Sequence, residues 1–472
     1  MGKKRNIIIE NLVVEDYAAE GKSLARSDGK VIFIQNVVPG DVVDVKLTRN
    51  KKDWAEGIPV NIRSFSTERV EPFCQHFGVC GGCQWQMLPY EKQLLYKEKQ
   101  VLETLKRIAK VPIPVLLPIM GAEETKYYRN KVEYTFGNKE FLPKKDFERI
   151  KNEFITPGED VAVAGYHAKG IFDKVVDIQT CYLQSEPTNA LRLSVREFAK
   201  ENHFSFYDIR AHSGFMRTMQ VRICTTGEIL VNIVLGYDEK EKREKLLDYI
   251  LQQFPQITSL LYTINTKWND SLHDLEPIAY YGKGFVLEKM EEYIFKIGPK
   301  SFFQTNTRQG EKLYNITREF AELTGNEIVY DLYCGTGSIG IYISKYARKI
   351  IGVEMIEEAV NDAIENSVLN RLNHTAFYKG DVIEICTDDF FAIHGKPDVI
   401  ITDPPRAGMH EKLVHKILDM EAPIVVYVSC NPATQARDLN LLDEKYRVVK
   451  IQPVDMFPHT HHIENVVQLK IK

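Results

Sequence analysis

Long apolar runs are missing from this sequence. No stretch approaches the roughly 20 apolar residues of a membrane span. The run behind Met1-Gly2-Lys3-Lys4-Arg5 stops at Ile7-Ile8-Ile9 before Glu10, far short of a signal-peptide core. Asn6 stands where a myristoylation signal needs Ser or Thr. No membrane partner is expected, and the expected compartment is the cytoplasm. Cysteine is scarce too: eight in 472 residues are too few for a disulfide scaffold and read as free thiols, metal ligands or nucleophiles. A net charge of only −4 argues against a polycation but leaves local basic patches for nucleic acid open. There is no internal repeat and no low-complexity segment. What is present, 44% hydrophobic and 27% charged residues, is an ordinary globular composition, long enough for two or three domains.

Residues 7–62 hold β-branched runs at Ile7-Ile9, Val31-Ile34, Val42-Leu47 and Ile58-Ile62, broken by Gly21, Asp28-Gly29 and Pro39-Gly40-Asp41. That spacing predicts a small β-barrel. Lys46, Arg49, Lys51, Lys52 and Trp54 would suit an RNA backbone, or are an ordinary solvated hairpin. A cysteine-rich loop at 73–84 precedes a helix predicted over Tyr90 to Lys110, whose six Lys/Arg and three Glu read as a solvated face. From Pro112 to about Pro299 strands (132–136, 219–224, 229–234) mix with helices (188–201, 239–253), an α/β middle domain interrupted by a charge-dense insertion at 138–160. After Glu327, apolar runs at 328–332, 350–353, 375–378, 398–401 and 424–428 alternate with helix-length segments, which predicts a parallel sheet with helices on both faces.

The segment Ile328 to Gly340 is a strand, a glycine-rich turn and a helix start, and Glu354 follows Gly335 by 19 residues, where a carboxylate can accept both hydroxyls of a ribose. By spacing alone NAD is a live ligand. Asp331 shifts the balance toward S-adenosylmethionine (SAM), because a carboxylate just before the glycines would repel a pyrophosphate but can order the loop or face a cationic amino-acid moiety. Gly380-Asp381 would then lie near the adenine. Asp403-Pro404-Pro405-Arg406 and Ser429-Cys430-Asn431-Pro432 end the fourth and fifth strands, where α/β sheets put their sites. A thiol at a strand end beside a helix start is where a thiolate is favoured. The loop His459-Thr460-His461-His462-Ile463-Glu464 precedes a closing strand at 466–469; its three histidines suggest a metal only if further ligands join them.

Cys430 and Glu464 together fit one chemistry. Carbon 5 of uracil is a poor nucleophile until a thiolate adds to carbon 6; the enolate can then take a methyl group, and a carboxylate removes the proton left on carbon 5.

At these residues the chain resembles the RNA uracil-5-methyltransferase family, most closely the bacterial 23S rRNA enzymes with an N-terminal TRAM domain and an iron-sulfur cluster. The resemblance rests on residues 331–337, Asp403-Pro404-Pro405-Arg406, Ser429-Cys430-Asn431-Pro432 and His462-Ile463-Glu464, in the family's order, and covers nearly the whole chain apart from 138–160. It implies an α/β protein in four parts: an OB-like TRAM barrel that binds RNA (1–65), an iron-sulfur loop and helix (66–111), a central α/β domain (112–299) and a Rossmann-like SAM methyltransferase domain (300–472). It implies Cys430 as nucleophile, Glu464 as base, and Asp403 as a carboxylate at the pyrimidine edge and the cofactor. SAM contacts would be Gln304, Tyr333, Ser338, Glu354, Asp381 and Asp403; at 338 and 381 family members often carry Asn. Within Ser301-Phe302-Phe303-Gln304-Thr305-Asn306 a phenylalanine would pack near the base, and Tyr128-Arg129-Asn130-Lys131 resembles a segment near the RNA. Cys74, Cys80 and Cys83, with Cys181 as the distant fourth ligand, would hold a [4Fe-4S] cluster; a zinc site using His76 is the rival. The spacing is not that of radical-SAM enzymes. Family tRNA enzymes usually lack both cluster and barrel, which points to 23S rRNA, acted on by a monomer. The alternatives are the same chemistry on a tRNA uridine, methylation of cytosine carbon 5, which generally uses a second cysteine missing from the fourth-strand motif, and an RNA-binding protein holding NAD or nothing.

Overall fold

The β-branched runs at the N-terminus become strands Ile8–Val13, Asp16–Tyr17, Ser23–Ser27, Lys30–Ile34, Val42–Asn50 and Trp54–Ser64, joined in one sheet. Alternate residues point inward, and the sheet closes on Leu12, Ala25, Ile32, Ile34, Val43, Val45 and Ala55. The computed structural model describes residues 7–143 and 161–472. Most of the insertion at 138–160 therefore lies outside the described residues; at its edge Asn138 and Lys139 both hydrogen-bond the Asp208 carboxylate. No helix among the described residues is long and apolar enough to cross a membrane.

The predicted helix at 90–110 runs as Tyr90–Thr104, continues as a π-turn at Leu105–Ala109, and stops at Lys110 in the left-handed region. A solvated face describes most of its charges but not Lys97. Gln93, Lys97, Val101 and Leu105 recur every four residues and are all buried, and Lys97 donates to the equally buried Asp455 carboxylate at 2.6 Å. Counting its charges as one solvated face misses a cation that lies on the buried side of the helix.

The central sheet orders its strands Ile278–Gly282, Ser259–Ile264, Ile229–Leu235, Met216–Ile223, Lys131–Gly137, Val163–His167 and Val175–Asp177. Helices Thr188–Glu201 and Lys240–Gln253 supply Leu191, Val195, Leu246, Leu247 and Ile250 to its core.

The C-terminal sheet runs in the order Thr375–Lys379, Lys349–Glu354, Ile328–Leu332, Val399–Thr402, Ile424–Ser429, Glu464–Ile471, Tyr446–Val454. Both faces are covered. Ile328, Tyr330 and Leu332 join one apolar cluster, with Val101 and Leu105 of the linking helix, while Val329 joins the other, with Leu313, Ile316 and Phe320 of helix Thr307–Ala321. Two buried faces are why these strands read as continuous apolar runs. The five strands predicted as parallel are parallel, and the closing strand, whose direction the sequence leaves open, joins them antiparallel. Tyr446–Val454 and Glu464–Ile471 form a hairpin, and a nine-residue connection can only join antiparallel neighbours, so Glu464–Ile471 runs against the strands on either side. This departs from the all-parallel dinucleotide order.

Candidate active site

The glycine loop is built as its spacing predicts. Tyr333, Gly335 and Gly337 all have φ between 53° and 73°, the left-handed region. Asp331 Oδ2 accepts the Gly340 N–H at 2.9 Å, and a Cβ at 340 would sit 2.9 Å from that same oxygen, which is why a glycine is needed there. Asp331 Oδ1 is buried without a partner. Burial, with Asp403 and Glu354 nearby, pushes this carboxyl up to about 7. A Cβ at Gly335 would meet nothing within 4 Å, so the loop faces open space. Glu354 ends its strand and accepts N–H groups from Gly335 (3.1 Å) and Ile356 (3.0 Å), leaving lone pairs on both oxygens. Asp381 caps the turn after Gly380, accepting from Ile383 N–H, and Gly380 N–H bonds the Glu354 carbonyl, so Asp381 adjoins Glu354. Ser338 opens its helix and shares a hydrogen bond with Tyr314. Gln304 is nearly buried; the 301–306 segment is tied to the loop through Thr336 Oγ1 and the Phe302 carbonyl, and to the central domain through Asn130. Of the two phenylalanines, Phe303 packs against Phe295 and Phe302 is 71% exposed. An orphaned buried carboxylate oxygen, a Cβ-free cradle and a strand-end acid fit a ligand with a cationic amino-acid end and a ribose.

Asp403, Cys430 and Glu464 meet at the same end of the sheet. Ser429 pairs with Asn465 in the antiparallel register, which brings the next pair, Cys430 and Glu464, opposite each other. A parallel last strand would have put residue 464 at the far end. Burial pushes Asp403 up to about 7, and burial together with Asp403 raises Glu464 well above the ordinary carboxylate range. Cys430 contradicts the sequence expectation of a favoured thiolate. Desolvation, then the Glu464 and Asp403 charges, push it up to about 11, and the Arg406 guanidinium lowers it only in part. The helix Pro432–Leu442 is capped by Asn431, whose Nδ2 also holds the Arg406 carbonyl. His461 and His462 stand near Arg406, and burial depresses both to about 4. Sequence reading assigned Arg406 no role; its charge became legible only through its neighbours.

Cys74, Cys80, Cys83 and Cys181 line one cavity, with His76, Tyr166, Tyr182 and His459. The residue two after Asp177 explains the fate of His76, whose Nε2 accepts the Gln179 N–H. Among the described residues no three His, Cys, Asp or Glu side chains converge on a point as a single metal ion requires. Cys224, Cys334 and Cys386 are buried. On the barrel, Arg49 lies over the Trp54 ring at 5.0 Å and Lys51 and Lys52 are exposed.

Sheet order, glycine loop and strand-end acids define a SAM-dependent methyltransferase. Residues 283–472 match the family model described as tRNA (Uracil-5-)-methyltransferase and residues 2–60 match the TRAM domain. "Uncharacterized RNA methyltransferase" proteins of Bacteroides thetaiotaomicron and Porphyromonas gingivalis are each 49% identical, over 96% and 97% of this chain and 100% and 98% of theirs. The solved structure of Pyrococcus abyssi tRNA (uracil-54, C5)-methyltransferase with S-adenosyl-L-homocysteine is similar at a TM-score of 0.73 and 27% identity, over 97% of this chain and all of that one. The chain belongs to the RNA (uracil-5-)-methyltransferase family. A tRNA enzyme that aligns over 97% of the chain also removes the argument that a barrel by itself marks an rRNA enzyme.

Proposed function

We propose that the enzyme methylates carbon 5 of a uridine in 23S rRNA through a covalent Cys430 intermediate. The observation that carries the chemistry is the antiparallel register that sets Glu464 opposite Cys430, with Asp403 in electrostatic reach of both. The Cys430 sulfur, once deprotonated, bonds carbon 6, and the electron pair of the 5,6 double bond moves toward carbon 5 and oxygen 4. Carbon 5 takes the sulfonium methyl, and S-adenosylhomocysteine leaves. Glu464 removes the carbon 5 proton, the double bond returns, and the carbon–sulfur bond breaks to release the thiolate. Gln304, Tyr333, Ser338, Glu354, Asp381 and Asp403 are the cofactor contacts in this reading: Glu354 and Asp381 as acceptors for ribose and adenine edges, Asp403 between cofactor and base. Exposed Phe302 is the ring available to the flipped base. The barrel grips RNA through its Arg49-Trp54 hairpin, and the parts at 1–65, 66–111, 112–299 and 300–472 divide RNA grip, thiol cavity, scaffold and catalysis.

Four thiols line one cavity, an all-cysteine donor set of the kind that holds an iron-sulfur cluster; the resemblance supports a [4Fe-4S] group there, with zinc using His76 as the rival. When bound the cluster would organise the cysteine loop and take no part in methyl transfer; anaerobic protein should be brown, and colourless protein with one zinc per chain would overturn this. The resemblance supports 23S rRNA as substrate. A second reading, a tRNA uridine, is favoured by the full-length likeness to the Pyrococcus abyssi enzyme.

The mechanism is tested with radiolabelled SAM on 23S rRNA and tRNA, with mass-spectrometric mapping of 5-methyluridine. Cys430→Ala should bind RNA and SAM but form no adduct. Glu464→Gln should transfer the methyl group and stall, leaving a labelled protein–RNA species that survives SDS. Methylation by Cys430→Ala would refute the covalent scheme, and normal turnover by Glu464→Gln would move the base elsewhere.

A further inference from the structure

The loop 455–463, which delivers Glu464 to the site, is held almost entirely by parts of the chain more than 100 residues earlier. At its start the buried Asp455 carboxylate accepts from Lys97 Nζ (2.6 Å), Tyr90 Oη (2.8 Å) and the Phe457 N–H (3.1 Å). Lys97 also reaches the Phe457 carbonyl, and Tyr128 Oη the Pro458 carbonyl. At the middle of the loop the buried His459 is gripped on three sides. Its N–H donates to Gln93 Oε1 (2.8 Å), its carbonyl accepts the N–H groups of Gln84 and Trp85 (2.9 and 3.0 Å), and its ring Nδ1 lies 3.0 Å from Gln93 Nε2. Gln93 Nε2 also donates to the Trp85 and Leu88 carbonyls. The two hydrogens of this amide are shared among three acceptors; since an amide nitrogen accepts nothing, the facing Nδ1 carries no proton and the ring proton sits on Nε2, with the Thr125 backbone nearby. The same ring lines the cysteine cavity and packs edge-on against Phe73 at 5.1 Å.

We propose that Gln93, Lys97, Asp455 and His459 are positioning residues for the base: they splint the loop onto the cysteine-lined lobe, so that this lobe sets where Glu464 stands when it takes the carbon 5 proton. The inference rests on the reading of Glu464 as that base. It predicts that loosening the splint slows elimination and spares methyl transfer, because Cys430, Asp403 and the glycine loop hang on other strands.

The test compares Gln93→Leu, Lys97→Met and His459→Phe with Glu464→Gln in the full-length enzyme, using SAM and an RNA substrate. Single-turnover methyl transfer and kcat/KM for both substrates should stay within about two-fold, while kcat, and KM with it, falls by about 10–100-fold, the scale of an ångström-sized displacement of a reacting group. The SDS-stable labelled adduct should accumulate as it does in Glu464→Gln. A variant that is merely unstable loses burst and steady rate together and builds up no adduct; Gln93→Leu, which removes no charge, keeps the test alive if Lys97→Met does not fold. If Glu464→Gln accumulates adduct and none of the splint variants does, the proposal falls and the base assignment stands. If Glu464→Gln itself accumulates none, both fall.

Discussion

The state of Cys430 before RNA arrives can be measured directly. With the thiol pushed up to about 11, the thiolate fraction at pH 8 is about 10⁻³, against about 0.1 for a thiol at its ordinary 9, a difference of about 100-fold. Alkylation by iodoacetamide, read on the Cys430 peptide by mass spectrometry, should therefore rise about ten-fold per pH unit from 7 to 10 without a plateau, since only the thiolate reacts. Neighbouring charges set the sign of each variant. Asp403→Asn removes a carboxylate that is ionised at pH 8 and raises the thiol, and should speed alkylation there. Arg406→Ala removes the cation that lowers it and should slow alkylation. These changes will be about half as large in rate as in thiolate fraction, because a less basic thiolate is also a weaker nucleophile. A plateau at or below pH 8.5 in the wild type would refute the reasoning and restore the thiolate expected from the strand-end position. If the slope is found, the free enzyme keeps its nucleophile protonated, and the bound uracil must meet a thiol that gives up its proton inside the site.

Two further outcomes follow from the cofactor loop. Asp331 is raised from 3.8 to about 7, so folding holds its proton through the window from 4 to 7, and the ionised form is destabilising above pH 7. Asp331→Asn should accordingly gain roughly 2–3 kcal/mol relative to wild type between pH 5 and pH 8 in urea unfolding, while weakening SAM binding; a pH-independent difference would show the carboxyl to be ordinary. Gly335→Ala places a methyl group into the open space before the loop, at φ 53°. It should cost about 1–2 kcal/mol of backbone strain and reduce SAM affinity measured by calorimetry far more than it lowers stability; unchanged affinity would mean that the ligand does not approach this face.

The parts of the site that were legible in sequence are the ones encoded locally. The strand, glycine turn and helix at 328–343 lie within sixteen residues, and the two proline-punctuated strand ends at 403 and 430 announce themselves by composition. Helix Thr188–Glu201 has the bounds its periodicity predicts. What escaped depends on partners that no local pattern links. Lys97 and Asp455 are 358 residues apart, Gln93 and His459 366, and nothing in either neighbourhood distinguishes the buried Lys97 from the other four lysines and one arginine of a segment that looks solvated. Cys181 is legible only through the resemblance; the fold ties its segment to the cysteine loop through the Gln179 N–H on His76 Nε2. Cys430 was misread for a related reason: a helix start beside it is visible in sequence, and two carboxylates converging from other strands are not.

That convergence follows from the final hairpin. In a purely parallel sheet every strand brings its C-terminal end to the ligand crevice, so each strand can offer a residue at its end and none at its beginning. Turning the last strand around lets Glu464, the first residue of Glu464–Ile471, face Cys430, the residue just past Ile424–Ser429. The same reversal requires a connection at the crevice end, and this connection is the 455–463 loop. A loop there is exposed to whatever packs over the crevice, and what packs over it is the linking helix with the cysteine-lined lobe. An acid placed by topology is thus held in position by a neighbouring lobe, and changes in that lobe are expected to reach the base before they reach the nucleophile.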